Sequence, residues 1–525
     1  MVKVTFQEKT KKANRLQNWP GRLISPALAV LVFFGSLYFL TGTYFTKGIS
    51  DGEVMAQTAI ALAQQHTVQL PSNPGLPQII PGKKGRYFSK YGIGQPLMTA
   101  GLYLSGQVFS RTAMPKADEN IIGHFFIMLL PILATAFTAW LVYLWGQELY
   151  QSVRVGLGLA LLFGLGTNAW PYTKVFFSEP LFTLCIFGAA FTLWKARRAA
   201  SSGRYYLWVA SAGFLLGYSF LTRISGVILL PSYLVYLFLD FRFWILDEIK
   251  AKIQKQAKAV KKYYPYTSSV KKLKSKFFFS GLALLLGMLP GLGLILLHNY
   301  VRFGNIFNNG YDEEFFTNPL WVGLSGLLLS PGKSLFLYSP VLLALPFAVV
   351  GFWRRARAEA ILLSLVCGIT LLYYSLWWAW EGGWCWGPRF LVPLLPFLIL
   401  PLGHLLQKHW RWVIVLFGFL LPLAMVVQIL GVALDFNTYL ATLSNNADSY
   451  IWSIEASPLI NHWMRLGEPS NNLIRSLTLE QVGFRPFVGH LVTWVGLILF
   501  VISGLLLCLS YLKATKPLNP KPLKK

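Results

Sequence analysis

Residues 92–110 read Gly92-Ile93-Gly94-Gln95-Pro96-Leu97-Met98-Thr99-Ala100-Gly101-Leu102-Tyr103-Leu104-Ser105-Gly106-Gln107-Val108-Phe109-Ser110. The stretch has no charge and is about long enough to cross a hydrocarbon core. Whether it crosses decides on which side every later loop lies. Charge arbitrates. If 92–110 stays outside as an interfacial or re-entrant helix, twelve other apolar stretches remain, roughly 23–43, 122–146, 155–171, 180–194, 205–221, 224–239, 277–298, 335–353, 359–377, 389–406, 412–434 and 488–511. The cytoplasmic segments then hold 32 of the 47 Lys and Arg but only 6 of the 20 Asp and Glu. The loop 240–276 alone carries eleven of those basic residues, and placing it outside would break the positive-inside rule. The sequence therefore predicts an all-α polytopic membrane protein of about 12 transmembrane helices. Both termini are expected in the cytoplasm, and interfacial helices in a long first outer loop.

Bulk composition agrees. Of 525 residues 55% are hydrophobic and 13% charged, against about 25% charged in a soluble domain. The net charge of +27 would point to nucleic acid on a soluble chain. Here it reads as topology-sorting loops, and no nucleic-acid partner is expected. Four cysteines make no disulfide framework. The first apolar run follows six basic residues without a clear cleavage site and reads as an uncleaved span.

The chain divides into a basic N-terminus (1–22), a transmembrane module (23–406) with its first outer loop at 44–121 and its basic loop at 240–276, C-terminal spans (407–511) with an outer loop at 435–487, and a basic tail (512–525). The elaborate loops are on the expected outer face, where a rigid scaffold holds functional residues.

Asp51 and Glu53 follow the first span. A capping box, Ser50-x-x-Glu53, with Asp51 favourably placed at a helix N-terminus, explains both acids structurally. A general base at the membrane surface explains Asp51 functionally, and the two readings are compatible. Glu179, in Phe176-Phe177-Ser178-Glu179-Pro180, opens an apolar run. An acid there is costly and signals function, although a helix-start acid before proline is common. Outer basic residues Lys83, Lys84, Arg86, Lys90, Arg223, Lys333 and Arg389 fit head-group contact. Head-group contact is the usual explanation for any one of them; the functional alternative is a phosphate or pyrophosphate cradle, for which Arg389, after Gly387-Pro388, is best placed. Ser330-Pro331-Gly332-Lys333-Ser334 is not a nucleotide loop, because Gly326 and Gly332 have the wrong spacing. Trp378-Ala379-Trp380-Glu381-Gly382-Gly383-Trp384-Cys385-Trp386 fits an aromatic belt or a loop near sugar or lipid. The seven histidines show no metal-ligand spacing.

Asp51…Ala59…Leu62, Tyr87-Phe88-Ser89-Lys90-Tyr91-Gly92-Ile93-Gly94-Gln95-Pro96-Leu97, Ser178-Glu179-Pro180 and Gly387-Pro388-Arg389-Phe390-Leu391-Val392-Pro393 together resemble the C-type (GT-C) integral-membrane glycosyltransferases. That superfamily includes protein O-mannosyltransferases and the lipid A aminoarabinose transferase. The family's adjacent Asp-Glu pair stands here as Asp51-Gly52-Glu53, and its double proline as the single Pro96. The resemblance implies an inverting transfer of sugar from a polyprenyl-phosphate donor to a glycolipid, polysaccharide or protein acceptor on the extracytoplasmic face of the plasma (inner) membrane. Asp51 would be the base. Glu53, Glu179 and Glu381 would bind acceptor or sugar, and Lys90, Arg389, Lys333 and Arg86 the lipid phosphate. No nucleotide is needed, because the activated sugar arrives on the lipid, and no cofactor is assigned. A divalent cation stays open without an evident ligand cluster. The rival reading is a polytopic transporter or a lipid or oligosaccharide flippase, for which internal repeats and mid-span ionisable residues are the expected marks.

Overall fold

The computed structural model describes residues 25–44, 51–114, 118–237, 239, 266–311, 314–408, 410–440, 443, 449–467 and 486–515. The basic N-terminus 1–22, Ser50 with its expected cap, Asp312, Glu313, His409, most of the 240–276 loop, 468–485 and the tail beyond 515 lie outside the described residues.

The first helix, α1 (Pro26–Leu40), starts where Ser25 Oγ accepts the Leu28 amide and Pro26 occupies a position whose missing N–H costs nothing. Then come α2 (Asp51–Gln65), α3 (Gly94–Ala113), α4 (Glu119–Tyr150), α5 (Val153–Gly166), α6 (Glu179–Ala196), α7 (Ser202–Thr222), α8 (Ile224–Leu237) and α9 (Tyr266–Phe303). The second half holds α10 (Leu320–Leu329), α11 (Leu345–Arg355), α12 (Arg357–Leu376), α13 (Arg389–Gln407), α14 (Arg411–Ala433) and α15 (Pro486–Thr515).

Six of these are long and apolar enough to cross a membrane: α4, α9, α12, α13, α14 and α15. The chain is a helical membrane protein. Each of the twelve expected stretches falls on a helix or on a relay of short ones. The 335–353 stretch, for example, is broken at Ser339 and Pro340 into Leu335–Tyr338, Pro340–Ala344 and α11. The decisive stretch 92–110 forms α3, which is not among the six. It packs against α2 and the start of α4. There Tyr103 donates to Asn120 Oδ1 at 2.7 Å and receives Gln64 Nε2 at 2.9 Å.

The expected all-α fold is corrected in one place. The first outer loop contains a three-stranded antiparallel sheet, β1 (Gln69–Leu70), β2 (Ile79–Pro81) and β3 (Tyr87–Ser89), in the order β1-β3-β2. Phe88 sits opposite both Gln69 and Ile80. Strands of two or three residues are too short to display an alternation. The sheet matters because β3 runs directly into Lys90 and Tyr91. Arg302, near the end of α9, fixes it by donating to Ser89 O at 2.7 Å and to Asn299 Oδ1 at 2.9 Å. Helix α9 is in turn laid on α7 through glycines. A Cβ on Gly213 would sit 2.0 Å from Leu284 O, and one on Gly287 2.1 Å from Ala210 O, so the backbones approach closely.

Candidate active site

Three helix starts converge. Asp51 opens α2, Glu179 opens α6 and Arg389 opens α13. An acid is favoured in a first helical turn by the partial positive charge there, and Pro180 fits the second position of α6 because its absent N–H would be unpaired anyway. Arg389 joins both acids. Its Nη1 donates to Asp51 Oδ2 at 2.6 Å and its Nε to Glu179 Oε1 at 2.7 Å. Arg223, just after α7, also donates to Glu179 Oε1, and to Tyr374 Oη at 3.2 Å. The Arg389 guanidinium lies 3.9 Å from the centre of the Phe177 ring, a cation–π contact.

Burial is graded. Glu179 is fully buried, Arg389 is 9% exposed and Asp51 19%. Charges this deep persist only when paired, and here two arginines meet two carboxylates. Glu179 Oε2 is buried with no hydrogen-bond partner among the described residues.

Asp51 faces further donors, Gln78 Nε2 at 3.4 Å and the Tyr91 hydroxyl. Burial pushes its carboxyl up. Arg389, the Tyr91 hydrogen bond and Lys90 outweigh that and hold it below the ordinary value of 3.8. It is therefore an anion at neutral pH.

These groups border a cavity of about 820 Å³. Asp51, Lys90 and Arg389 line it, with Lys174, Arg223, Glu314 and Asp435. Trp378, Trp384 and Trp386 supply an aromatic wall. Lys90 Nζ pairs with Glu314 Oε1 at 2.7 Å, and Trp378 Nε1 donates to Glu314 Oε2. The Trp-rich loop turns at Gly382 (φ 77°) and Gly383 (φ 71°), the left-handed region where glycine carries no steric cost.

The structure thus brings Asp51, Glu179, Arg389 and Lys90 together. Glu53, Glu381, Arg86 and Lys333 do not line the cavity. Glu53 accepts from Gln57 Nε2 at 2.8 Å along its own helix, and Arg86 is exposed at the edge of the sheet. Lys333 is fully buried behind the Trp-rich loop. Its Nζ donates to Gly383 O at 2.9 Å, Cys385 O at 3.0 Å and Cys385 Sγ at 3.2 Å. Its donors hold the loop's shape and none is left for a phosphate.

Lys174, Glu314, Tyr91 and Tyr374 escaped the assignment from sequence. Lys174 donates to the carbonyls of Val432 and Leu434 at the end of α14. Its signal was available: a lone lysine in an otherwise uncharged run, five residues before Glu179. Arg223 was recognised only as one basic residue among several. No group of three His, Cys, Asp or Glu able to hold a metal occurs among the described residues.

Fold and site define a polytopic helical membrane protein with a charged, tryptophan-walled cavity built from helix starts. No protein-family model matches the chain. It is similar to the undecaprenyl phosphate-alpha-4-amino-4-deoxy-L-arabinose arabinosyl transferases of Pseudomonas aeruginosa strains LESB58 and UCBPP-PA14. To each it is 25% identical over 397 residues, covering 73% of this chain and 60% of the relative. The resemblance read from the motifs is borne out at that level. The chain thus spans about 60% of the length of the curated relatives it matches. Among solved structures it is similar to apo ArnT from Cupriavidus metallidurans, with a TM-score of 0.49 and 12% identity, over 93% of this chain and 75% of that one. It is also similar to the oligosaccharyltransferase AglB from Archaeoglobus fulgidus, with a TM-score of 0.46 and 10% identity, over 84% and 63% of the two chains.

Proposed function

We propose that the protein is a membrane glycosyltransferase that moves a sugar from a polyprenyl-phosphate donor to an acceptor on the extracytoplasmic face, with inversion. The observation that carries the reading is the Asp51–Arg389–Glu179 cluster at the edge of the 820 Å³ cavity. It places an anionic base beside a guanidinium suited to a phosphate leaving group. Sequence similarity to transferases named for an undecaprenyl-phosphate sugar supports the donor class.

In this mechanism the acceptor oxygen attacks the anomeric carbon while the bond from that carbon to the phosphate oxygen breaks. As the new bond forms, the acceptor hydroxyl becomes strongly acidic, so even a carboxylate held below its ordinary pKa can take the proton. Asp51 is assigned that role. Arg389 and Lys90 stabilise the charge that builds on the phosphate. Glu179 holds Arg389 and Arg223 in register, and Lys333 shapes the tryptophan wall from behind. Glu53, Glu381 and Arg86 receive no role in the reaction.

Twelve crossings with both ends in the cytoplasm remain the topology we propose, on the charge distribution. The transporter reading has less support. Each acid on a long apolar helix lies within three residues of its end: Glu119, Glu148, Glu179 and Glu359. Deep acidic residues of a translocation path are thus missing among the described residues. Mass spectrometry of cell-envelope glycans and lipid-linked sugars, with wild-type protein and Asp51→Asn, tests the function. Loss of one glycosylated product with accumulation of its lipid-linked precursor is expected. An unchanged profile would refute the assignment.

A further inference from the structure

The cavity has a charge balance that a phosphate must disturb. Among the described residues four cations line it, Lys90, Lys174, Arg223 and Arg389, together with the acids Asp51, Glu314 and Asp435. Glu179 sits directly behind Arg389. Each cation is already engaged: Arg389 by Asp51 and Glu179, Arg223 by Glu179, Lys90 by Glu314, and Lys174 by two backbone carbonyls.

A lipid phosphodiester brings one negative charge. When its bond to the sugar breaks, the electron pair stays on the phosphate oxygen and the head group gains a second. The acceptor's proton passes to Asp51 and neutralises it, which releases Arg389 for that second charge. The first charge, brought in at binding, has no such compensation, and a balanced site holds it by having one carboxylate give up its cation.

The three carboxylates in these ion pairs differ in how firmly they are held. Glu179 is fully buried between two arginines. Asp51 opens a helix and accepts from Arg389, Tyr91 and Gln78. Glu314 belongs to no helix or strand and, among the described residues, pairs with one cation, Lys90, that is itself 22% exposed. Its other oxygen accepts the Trp378 indole N–H.

We infer that Glu314 is the displaceable counter-ion of the site: it occupies Lys90 in the absence of donor and yields it to the lipid phosphate. Its departure also frees the Trp378 N–H on the cavity wall. The inference rests on the proposed lipid-phosphate reading. It assigns to Glu314 a control over head-group affinity that no sequence motif signals.

The test is a binding titration of the full chain in nanodiscs with undecaprenyl phosphate, and separately with inorganic phosphate. Glu314→Gln is expected to bind the lipid phosphate roughly 1.5–5-fold more tightly than wild type, the worth of a partly exposed ion pair. The gain should vanish when Lys90→Gln is added, because the two residues then no longer couple. Should Glu314→Gln fail to fold, Glu314→Asp, which keeps the charge but shortens its reach to Lys90, should give a smaller gain in the same direction. Wild-type binding with equal or weaker binding by the Glu314 variants overturns the inference and leaves the proposed function standing. Absence of lipid-phosphate binding by both overturns the donor reading and the inference with it. Inorganic phosphate bound as tightly as the lipid overturns the assignment to a lipid head group.

Discussion

Two ion clusters meet at the cavity, and they are built on opposite principles. In the first, Asp51, Glu179 and Arg389 each begin a helix, and Arg223 caps the end of another. Its members cross-link one another: Arg389 bonds both acids and Glu179 accepts from both arginines. In the second, Lys90 follows a three-residue strand, Glu314 lies in a loop and Trp378 just beyond α12. Each of its bonds joins two segments without a helix at either end. In the proposed mechanism the first cluster is a frame that fixes where chemistry occurs, and the second is an exchangeable contact that a ligand can enter. An array of fixed dipoles needs no reorganisation during reaction, whereas a binding contact must open.

That difference can be broken experimentally, starting with the frame. Glu179→Ala leaves two arginines facing each other in a buried site. Removing one partner of a buried ion pair costs about 3–5 kcal/mol, so the variant should lose much of its folded yield in detergent and unfold at lower temperature. A variant as stable as wild type would show that the frame is no frame. Lys333→Met comes next. It removes charged donors to Gly383 O and Cys385 O behind the tryptophan wall, and a hydrogen bond from a charged group contributes about 1.5–3 kcal/mol. Lower thermal stability with a changed tryptophan emission spectrum is expected. Loss of lipid-phosphate binding with unchanged stability would instead return Lys333 to the phosphate.

The smallest effect is on pH. Arg389 and Tyr91 hold the Asp51 carboxyl below 3.8. The ion pair therefore stabilises the fold at every pH above that ordinary value. The contribution is lost as pH falls through the lowered native pKa. The activity profile should show no acid limb from Asp51 above pH 3.8. A limb centred at roughly pH 6–7, where a tuned general base titrates, and abolished in Asp51→Asn, would contradict the tight pairing with Arg389.

The two clusters were not equally legible. Asp51, Glu179 and Arg389 stood out because each is a charge at the edge of an apolar run, and such an edge is visible in one dimension. That they meet was not visible: Asp51 and Arg389 are 338 residues apart, and Glu179 and Arg389 210. Lys90 was found by its flanking motif, but its partner Glu314 was hidden in an acidic loop where Asp312, Glu313 and Glu314 look alike. The helices followed from apolar length. The sheet did not, because strands of two and three residues carry no period. Lys333 misled for a physical reason. A lysine beside Gly332 reads as an exposed cation, yet a Cβ on Gly332 would lie 2.4 Å from Tyr450 O. The turn is pressed beneath the 449–452 segment, and the lysine with it.

The most direct test of the central claim is single-turnover transfer from a polyprenyl-phosphate-linked sugar by reconstituted Asp51→Asn protein, with undecaprenyl-phosphate binding measured on the same sample. A rate lower by about 10²–10⁴-fold, the usual contribution of a general base, is expected, with lipid-phosphate binding retained. Transfer at near the wild-type rate by folded, lipid-binding Asp51→Asn would contradict the claim.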